Sequence, residues 1–378
     1  MQFMDQLNRA FGDGVRASAL RDVQSGRLSG GGTAGIAARA LSILIVLTPF
    51  SLLALSALLF WLALWSAWFL LWGGLILSAA LYLWPRRTRN TLPTLTRADA
   101  PGLFNLLDQM CDILGAPGID GVHVTPDFNA YLAVYGKNER IVGIGGALWI
   151  CLTPPQRLAL LAHEVAHLAN NDPARMHVTG RAMQTLAAWH DLFSPPAMID
   201  SSTNTAYVSD GRSLFGQVVG AVFCAAVETL GWTLERLIFA QSQRAEYFAD
   251  AQASTVAGVA AIRSLLHTLI LAPLAFNALR DHHFDGASKV QVFELMAEAL
   301  RAASPDQIAH HRAMAMGELI SIDSTHPPFR FRIDLLDALG ERPSSLSVKT
   351  IPWRQIENEL ANPIAAADRK LLDRLVVQ

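Results

Sequence analysis

The hydrophobic and polar pattern of the chain is dominated by one run, Ala40 to Pro85, that contains no charged residue. As a single helix its 46 residues would extend roughly 69 Å at 1.5 Å per residue. One bilayer crossing needs ~30 Å, so the run predicts two spans, 37–60 and 64–84, joined by a tight turn. Pro49 is expected to kink the first span. Trp61, Trp65, Trp68, Trp72 and Trp84 supply candidate interfacial anchors near the turn and the exit. A soluble core has little use for so long an uncharged stretch, and the run starts too late and is too long for a cleavable signal peptide.

The rest of the pattern is more ordinary. Residues 1–25 read as a weakly amphipathic helix lying at the membrane interface. The stretch SGRLSGGGTAG (25–35) reads as a flexible linker, because it lacks the Gly-Lys-Ser/Thr ending of a phosphate-binding loop. Helical periodicity returns over 97–115, with Asp99 or Ala100 as start and Gly115 as stop. Two β-rich runs occupy 121–152, separated by a turn at Gly136-Lys137-Asn138-Glu139. Thr153 and Pro154 then open a strong helix that runs through LLAHEVAHLANND. A further helix is expected over 174–193, followed by a polar loop over 194–213. Apolar stretches follow at 214–240 and 267–279. Residues 281–340 are mostly helical and polar, and the tail beyond 341 is a Pro/Ser-rich linker ending in a short helix. The fold class is therefore mainly α with a small β-sheet. Four segments are expected: an N-terminal cytoplasmic segment and linker (1–36), a transmembrane hairpin (37–85), the main domain (92–340) and a C-terminal tail (341–378).

Composition agrees with a membrane setting. Of the 378 residues, 16% are charged and 52% apolar, against about 25% charged in ordinary soluble domains. A formal charge of −2 and the lack of any Lys/Arg-rich run argue against nucleic acid as a partner. Cys111, Cys151 and Cys224 are widely spaced and form no Cys-x-x-Cys pair, so neither a disulfide framework nor a thiolate metal site is indicated. Arg16, Arg21, Arg27 and Arg39 lie before the hairpin or at its start. Arg86, Arg87, Arg89 and Arg97 follow it, and the turn has no Lys or Arg. The positive-inside rule then puts both flanks, and most of the protein, in the cytoplasm.

Candidate chemistry begins with His163, Glu164 and His167, a His-Glu-x-x-His on the predicted helix. Residues four apart share a helical face, so both imidazoles can meet one point. A catalytic zinc takes three protein ligands and a water, and Glu164 is placed to act as general base on that water. A random chain of this composition would contain the motif about 0.01 times. The stretch AQSQRAEYFADAQA (240–253) offers Glu246 as a third ligand and Asp250, one turn on, as acceptor for the N–H of a ligating histidine. The competing reading is a solvated acidic face with Glu246 paired to Arg244.

Three motifs in fixed order, HEVAHLANND, SQRAEYFADAQA and STHPPFRFRIDLL (324–336), resemble the HtpX-like membrane zinc metallopeptidases, relatives of the CAAX prenyl proteases. The likeness covers roughly 37–340. It implies a gluzincin-type metallopeptidase domain after a transmembrane helical hairpin, with one Zn2+ per chain held by His163, His167 and Glu246. It also implies Glu164 as base, His326 of Thr325-His326-Pro327 as oxyanion stabiliser, and Arg332 near the ligands. NAYLAVYG, with Asn129 and Ala130, is similar to the family's strand beside the substrate. Polypeptides, above all membrane proteins, are the implied substrates, and quality control at the cell inner membrane is the implied setting. A narrow CAAX-like processing role, or a silent scaffold on the same fold, are the alternatives. The polar stretches DHHFDG (281–286) and AHHRAMAM (309–316) have no place in the resemblance and are read as surface polar residues.

Topology adds one constraint. Glu246 has to lie on the same side of the bilayer as His163 and His167, so 214–240 cannot make a single simple crossing. With Glu228, Glu235 and Arg236 in it, a long helix with one face on protein and one on lipid is expected rather than a tight in-and-out hairpin.

Overall fold

Local chemistry starts and stops the elements. The Gln156 side chain accepts the backbone N–H of Thr153 (2.9 Å) at the head of the His-Glu-x-x-His helix, half of a capping box, with Pro in the first turn. Gly115 ends an earlier helix in the left-handed conformation, φ 65°. The computed structural model describes every residue except 1, 27–31, 85–90, 137, 195–196, 201–204, 209–212, 285–289, 319–325 and 377–378, without side chains for 2–5, 7, 173–175, 197–200, 205–208 and 214. Much of the expected 25–35 linker, together with Arg27, Arg86, Arg87, Arg89, Lys137 and Thr325, therefore lies outside the described residues.

In chain order the elements are α1 (Gln2–Gln24), α2 (Thr33–Leu62), α3 (Trp68–Tyr82), α4 (Pro101–Leu114), β1 (Gly121–Thr125), β2 (Ala130–Tyr135), β3 (Glu139–Gly145), α5 (Gly146–Cys151), α6 (Pro154–Ala169) and α7 (Asp172–Phe193). They continue with β4 (Ala197–Asp200), β5 (Thr205–Val208), α8 (Leu214–Ala257), α9 (Val259–Ile270), α10 (Ala272–Asp281), α11 (Val292–Arg301), α12 (Pro305–Gly317), α13 (Phe329–Leu339) and α14 (Trp353–Val376). The chain is mainly helical with a small sheet, the expected fold class, and it divides into two units.

The first unit comprises 1–30, 88–174 and 240–378. Its sheet has the order β1-β3-β2, β1 parallel and β2 antiparallel to β3. Leu158, Leu161, Ala162 and Val165 of α6 pack with Leu103, Leu107, Val142, Ile144, Ile262 and Leu266 in the largest core cluster. Burying these side chains fixes the roll of α6, because its apolar face has one place to go. Gly145 is required where β3 ends: a Cβ there would lie 2.1 Å from the carbonyl oxygen of Asp127 and 2.2 Å from that of Asn129. The tail is part of this unit. Ile356 and Leu360 of α14 are buried in the main core, and Glu359 accepts the free backbone N–H groups of Gly102 (2.8 Å) and Leu103 (3.0 Å) at the start of α4. Likewise α1 does not lie free at an interface; Ala19 and Val23 are buried against Tyr247, Phe248, Ala251, Phe331 and Leu335.

The second unit comprises 31–87 and 175–239. Here α2 and α3 pack closely, with Ser56 Oγ donating to the carbonyl of Gly73 (2.8 Å). The expected spans shift: the first starts at Thr33, and the second is only the 15 residues of α3, with Ala63–Ala67 as the connection. At the connection and the start of α3, Leu64, Trp65 and Trp68 stand 74–81% exposed, and the two tryptophans are amphipathic anchors of the kind an interface favours. Helices α7 and α8 run antiparallel, as the pairs His190–Glu228 (3.1 Å) and Phe193–Phe223 (ring centroids 4.0 Å) show.

That pairing revises the topological argument. α8 is unbroken over 44 residues, so 214–240 is no in-and-out hairpin. Within the second unit, α7 is the antiparallel partner of 214–240. The expected polar loop at 194–213 holds a short antiparallel hairpin, β4 with β5, whose four-residue strands are too brief for alternation to show in the sequence. By length and composition three helices among the described residues could cross a membrane: 33–62, 215–257 and 259–281. The third differs, with 44% of its most apolar stretch buried against 17% in the others; it breaks at Leu271 and packs in the core of the first unit.

Candidate metal centre

Four elements of the first unit meet at one point. From α6, His163 Nε2 and His167 Nε2 lie 3.2 Å apart with perpendicular rings. From the 240–257 part of α8, Glu246 brings Oε2 to 3.5 Å from His163 Nε2 and Oε1 to 3.5 Å from His167 Nε2. The start of α7 and helix α13 complete the surround.

The outer nitrogens decide the tautomers. His163 Nδ1 lies 3.1 Å from Asp250 Oδ1, a close approach short of an aligned hydrogen bond, and His167 Nδ1 lies 3.0 Å from Asp172 Oδ2. A carboxylate beside Nδ1 draws the ring proton there, so each Nε2 presents a lone pair inward. Two nitrogen lone pairs and a carboxylate then converge in a buried space. That arrangement is repulsive unless a cation fills it, and Glu246 Oε2 has no well-aligned hydrogen bond although it is buried. The 3.2 Å between the two Nε2 atoms matches the roughly 3.3 Å between neighbouring ligands of a tetrahedral ion with bonds near 2.0–2.1 Å, and each Glu246 oxygen lies 3.5 Å from one of them. Among the described residues this is the one group of three potential ligands drawn together in this way. His282, His283, His310 and His311 form no second such group.

Arg332 ties the carboxylates together. It donates two hydrogen bonds of 2.7 Å to Asp250 and places Nη1 3.0 Å from Glu246 Oε2. Burial alone would raise the Glu246 carboxyl's proton affinity. The Arg332 guanidinium above all, with the facing histidines, holds it well below the usual carboxylate range instead. Asp250 is lowered in the same way: burial opposes, and Arg332 and then His163 prevail. Burial works against a charged imidazole at both histidines, yet the partners outweigh it: Asp250 and Glu246 raise His163, and Asp172 and Glu246 raise His167 further. With Arg332 as the counter-cation, Glu246, Asp250, Asp172 and Glu164 leave three formal negative charges, an excess that a divalent ion offsets in large part.

Glu164 is buried beside the pair on α6. His326, 64% exposed, sits on the open side with Nδ1 3.0 Å from Glu246 Oε1. Asn129 precedes the edge strand β2, and its carbonyl accepts the N–H of Gly145 (2.8 Å); Ala130 is buried and pairs in register with Ile144. Asp172 is the residue the sequence reading missed. It follows Asn171, whose φ of 59° lies in the left-handed region that Asn tolerates; this turn swings the carboxylate back onto the helix just ended. The available signal was a carboxylate just past the end of the motif helix, in HEVAHLANND.

Comparison with known proteins identifies the family. The model of peptidase family M48 matches residues 106–339, and the chain belongs to that family of metallopeptidases. It is similar to the Protease HtpX homolog of Pyrobaculum aerophilum, 26% identical over 247 residues, or 63% of this chain and 68% of the relative. It is also similar to the Protease HtpX of Vibrio vulnificus (26% over 145 residues, 38% and 49%) and the Protease HtpX homolog of Gemmatimonas aurantiaca (26% over 248 residues, 65% and 78%). These matches thus span from about half to about three quarters of the relatives' length. No solved structure matches the chain. With its long apolar helices, this HtpX-like chain is an integral membrane protein of a protease family that implies a bound metal.

Proposed function

We propose that the protein is a membrane-bound zinc metalloendopeptidase that hydrolyses polypeptide bonds at the cytoplasmic face of the cell inner membrane, in membrane-protein quality control. The observation that carries the reading is the convergence of His163 Nε2, His167 Nε2 and Glu246 at 3.2–3.5 Å, with both outer nitrogens turned to carboxylates. His163, His167 and Glu246 would hold one zinc ion per chain. Bound there, zinc supplies Lewis acidity to a scissile carbonyl and acidifies a water molecule.

The chain's own groups do the rest. Glu164 takes a proton from the attacking water at a carboxylate oxygen and passes it to the leaving nitrogen. His326, on the open side, hydrogen-bonds the carbonyl oxygen as negative charge grows on it. Asp250, Asp172 and Arg332 keep the imidazoles in the ligating tautomer. An extended substrate adds alongside β2 next to Asn129 and Ala130. This is supported by the sheet order, which leaves β2 an edge strand among the described residues. The apolar unit and its exposed tryptophans favour substrates presented at a lipid bilayer.

The test is zinc content and casein cleavage of purified protein with and without Glu164→Gln. Wild type should hold one zinc and cleave; the variant should hold zinc and lose roughly 100-fold or more of the rate. Equal cleavage by the two zinc-loaded forms would sink the peptidase reading.

A further inference from the structure

The helix that precedes the membrane hairpin lies outside the family match, which begins at residue 106, yet it touches both helices that carry the centre's carboxylates and guanidinium. Arg244 of α8 is buried with its guanidinium 4.8 Å from the Phe248 ring. It donates to Ser18 Oγ (2.9 Å) and to Asp22 of α1. Arg16 of α1 pairs with Asp334 of α13 at 2.9 Å and lies 4.4 Å over the Phe331 ring. Between the two ion pairs, Ala19 and Val23 pack on Tyr247, Phe248, Ala251, Phe331 and Leu335.

The register of these contacts is informative. Tyr247 faces α1 while its neighbour Glu246 faces the histidines. Phe331 faces α1 while its neighbour Arg332 binds Asp250 and Glu246. On adjacent positions of two helices, one side chain builds the centre and the next is gripped from behind. Rotating α8 or α13 enough to loosen Glu246 or Arg332 would break the contacts with α1. A displacement of about 1 Å is enough to matter at such a site.

We propose that α1 is a positioning element of the metal centre: through Arg16, Asp22 and its Ala19–Val23 face it clamps α8 against α13, which holds Glu246 and Arg332 in the ligating arrangement. The inference rests on the zinc reading given above. It makes the segment before the membrane hairpin part of the peptidase machinery, with residues that touch neither substrate nor metal.

The test uses the full-length chain in detergent, with zinc release into a colorimetric chelator as readout and far-UV circular dichroism to confirm folding. Asp22→Ala and Arg16→Ala should release zinc roughly 10-fold faster, the lower end of the effect seen for outer partners of metal ligands. Asp22→Glu, which keeps the charge, should stay close to wild type. If folded Asp22→Ala and Arg16→Ala melt earlier but release zinc at the wild-type rate, α1 is merely structural and the proposal falls. Where Asp22→Ala fails to fold because Arg244 is left buried and unpaired, the more exposed Arg16–Asp334 pair decides by the same criterion. Wild-type protein that takes up no zinc would overturn the zinc reading itself, a result distinct from equal release rates.

Discussion

The two histidines of the centre are alike in sequence and anchored in opposite ways. His163 leans on Asp250, which is fully buried and gripped by Arg332, with partners 82 and 87 residues away along the chain. His167 leans on Asp172, five residues on, delivered by one left-handed turn at Asn171. The first anchor depends on the packing of α6, α8 and α13 together; the second depends on how a single helix ends. The centre thus combines a tertiary support with a local one, and the two should respond differently when broken.

The largest effect is expected at the tertiary anchor. Arg332→Ala leaves Asp250 and Glu246 buried without a counter-cation, and breaking such a group costs about 3–5 kcal/mol. Thermal unfolding should drop sharply, and zinc binding should fail with it. Asp250→Asn keeps the volume and tests the same anchor less drastically. Zinc affinity by chelator competition should fall roughly 10–100-fold, together with a clear loss of stability, since Arg332 loses its two-point partner. Asp172→Asn should lower zinc affinity by roughly 10-fold while shifting stability by only about 1 kcal/mol. If Asp172→Asn destabilises the fold as much as Asp250→Asn, the local and tertiary anchors are not distinct.

The same contrast explains what could be read beforehand. His163, Glu164 and His167 were visible because a motif within one helical turn carries its own geometry. Glu246 and Asp250 repeat that spacing on a second helix, but spacing alone left a solvated acidic face open, and the family resemblance was what singled Glu246 out. Asp172 was not, because its role depends on one backbone dihedral past the helix end rather than on periodicity. The packing of α1 and of the tail was hidden for another reason. Periodicity tells which face of a helix is apolar but not which surface it meets, and the pairs Asp22–Arg244 and Glu359–Gly102 join residues more than 200 positions apart. The apolar run of 40–85 announced itself by composition alone. The α7–α8 pair did not, because Arg175, His177, Arg181 and His190 mask the partner of 214–240.

The smallest effect, and the sharpest on the comparison, is in pH. In the metal-free centre both imidazoles hold a proton more tightly than a free histidine: burial lowers their affinity for it, but the facing carboxylates overcome that, more so for His167. Zinc has to displace those protons, so its affinity should decline on acidification from a point above the ordinary histidine range near ~6.5. Asp172→Asn removes the carboxylate that does most to raise His167, so less proton competition remains there. The variant should bind zinc more weakly at pH 8, yet its affinity should start to fall only at lower pH than in wild type, by a shift of about one unit or less. Zinc titrations at stepped pH would show the two curves converging toward acid. Parallel curves would mean that Asp172 orients the ring without setting its charge, and the two anchors would then differ only in strength.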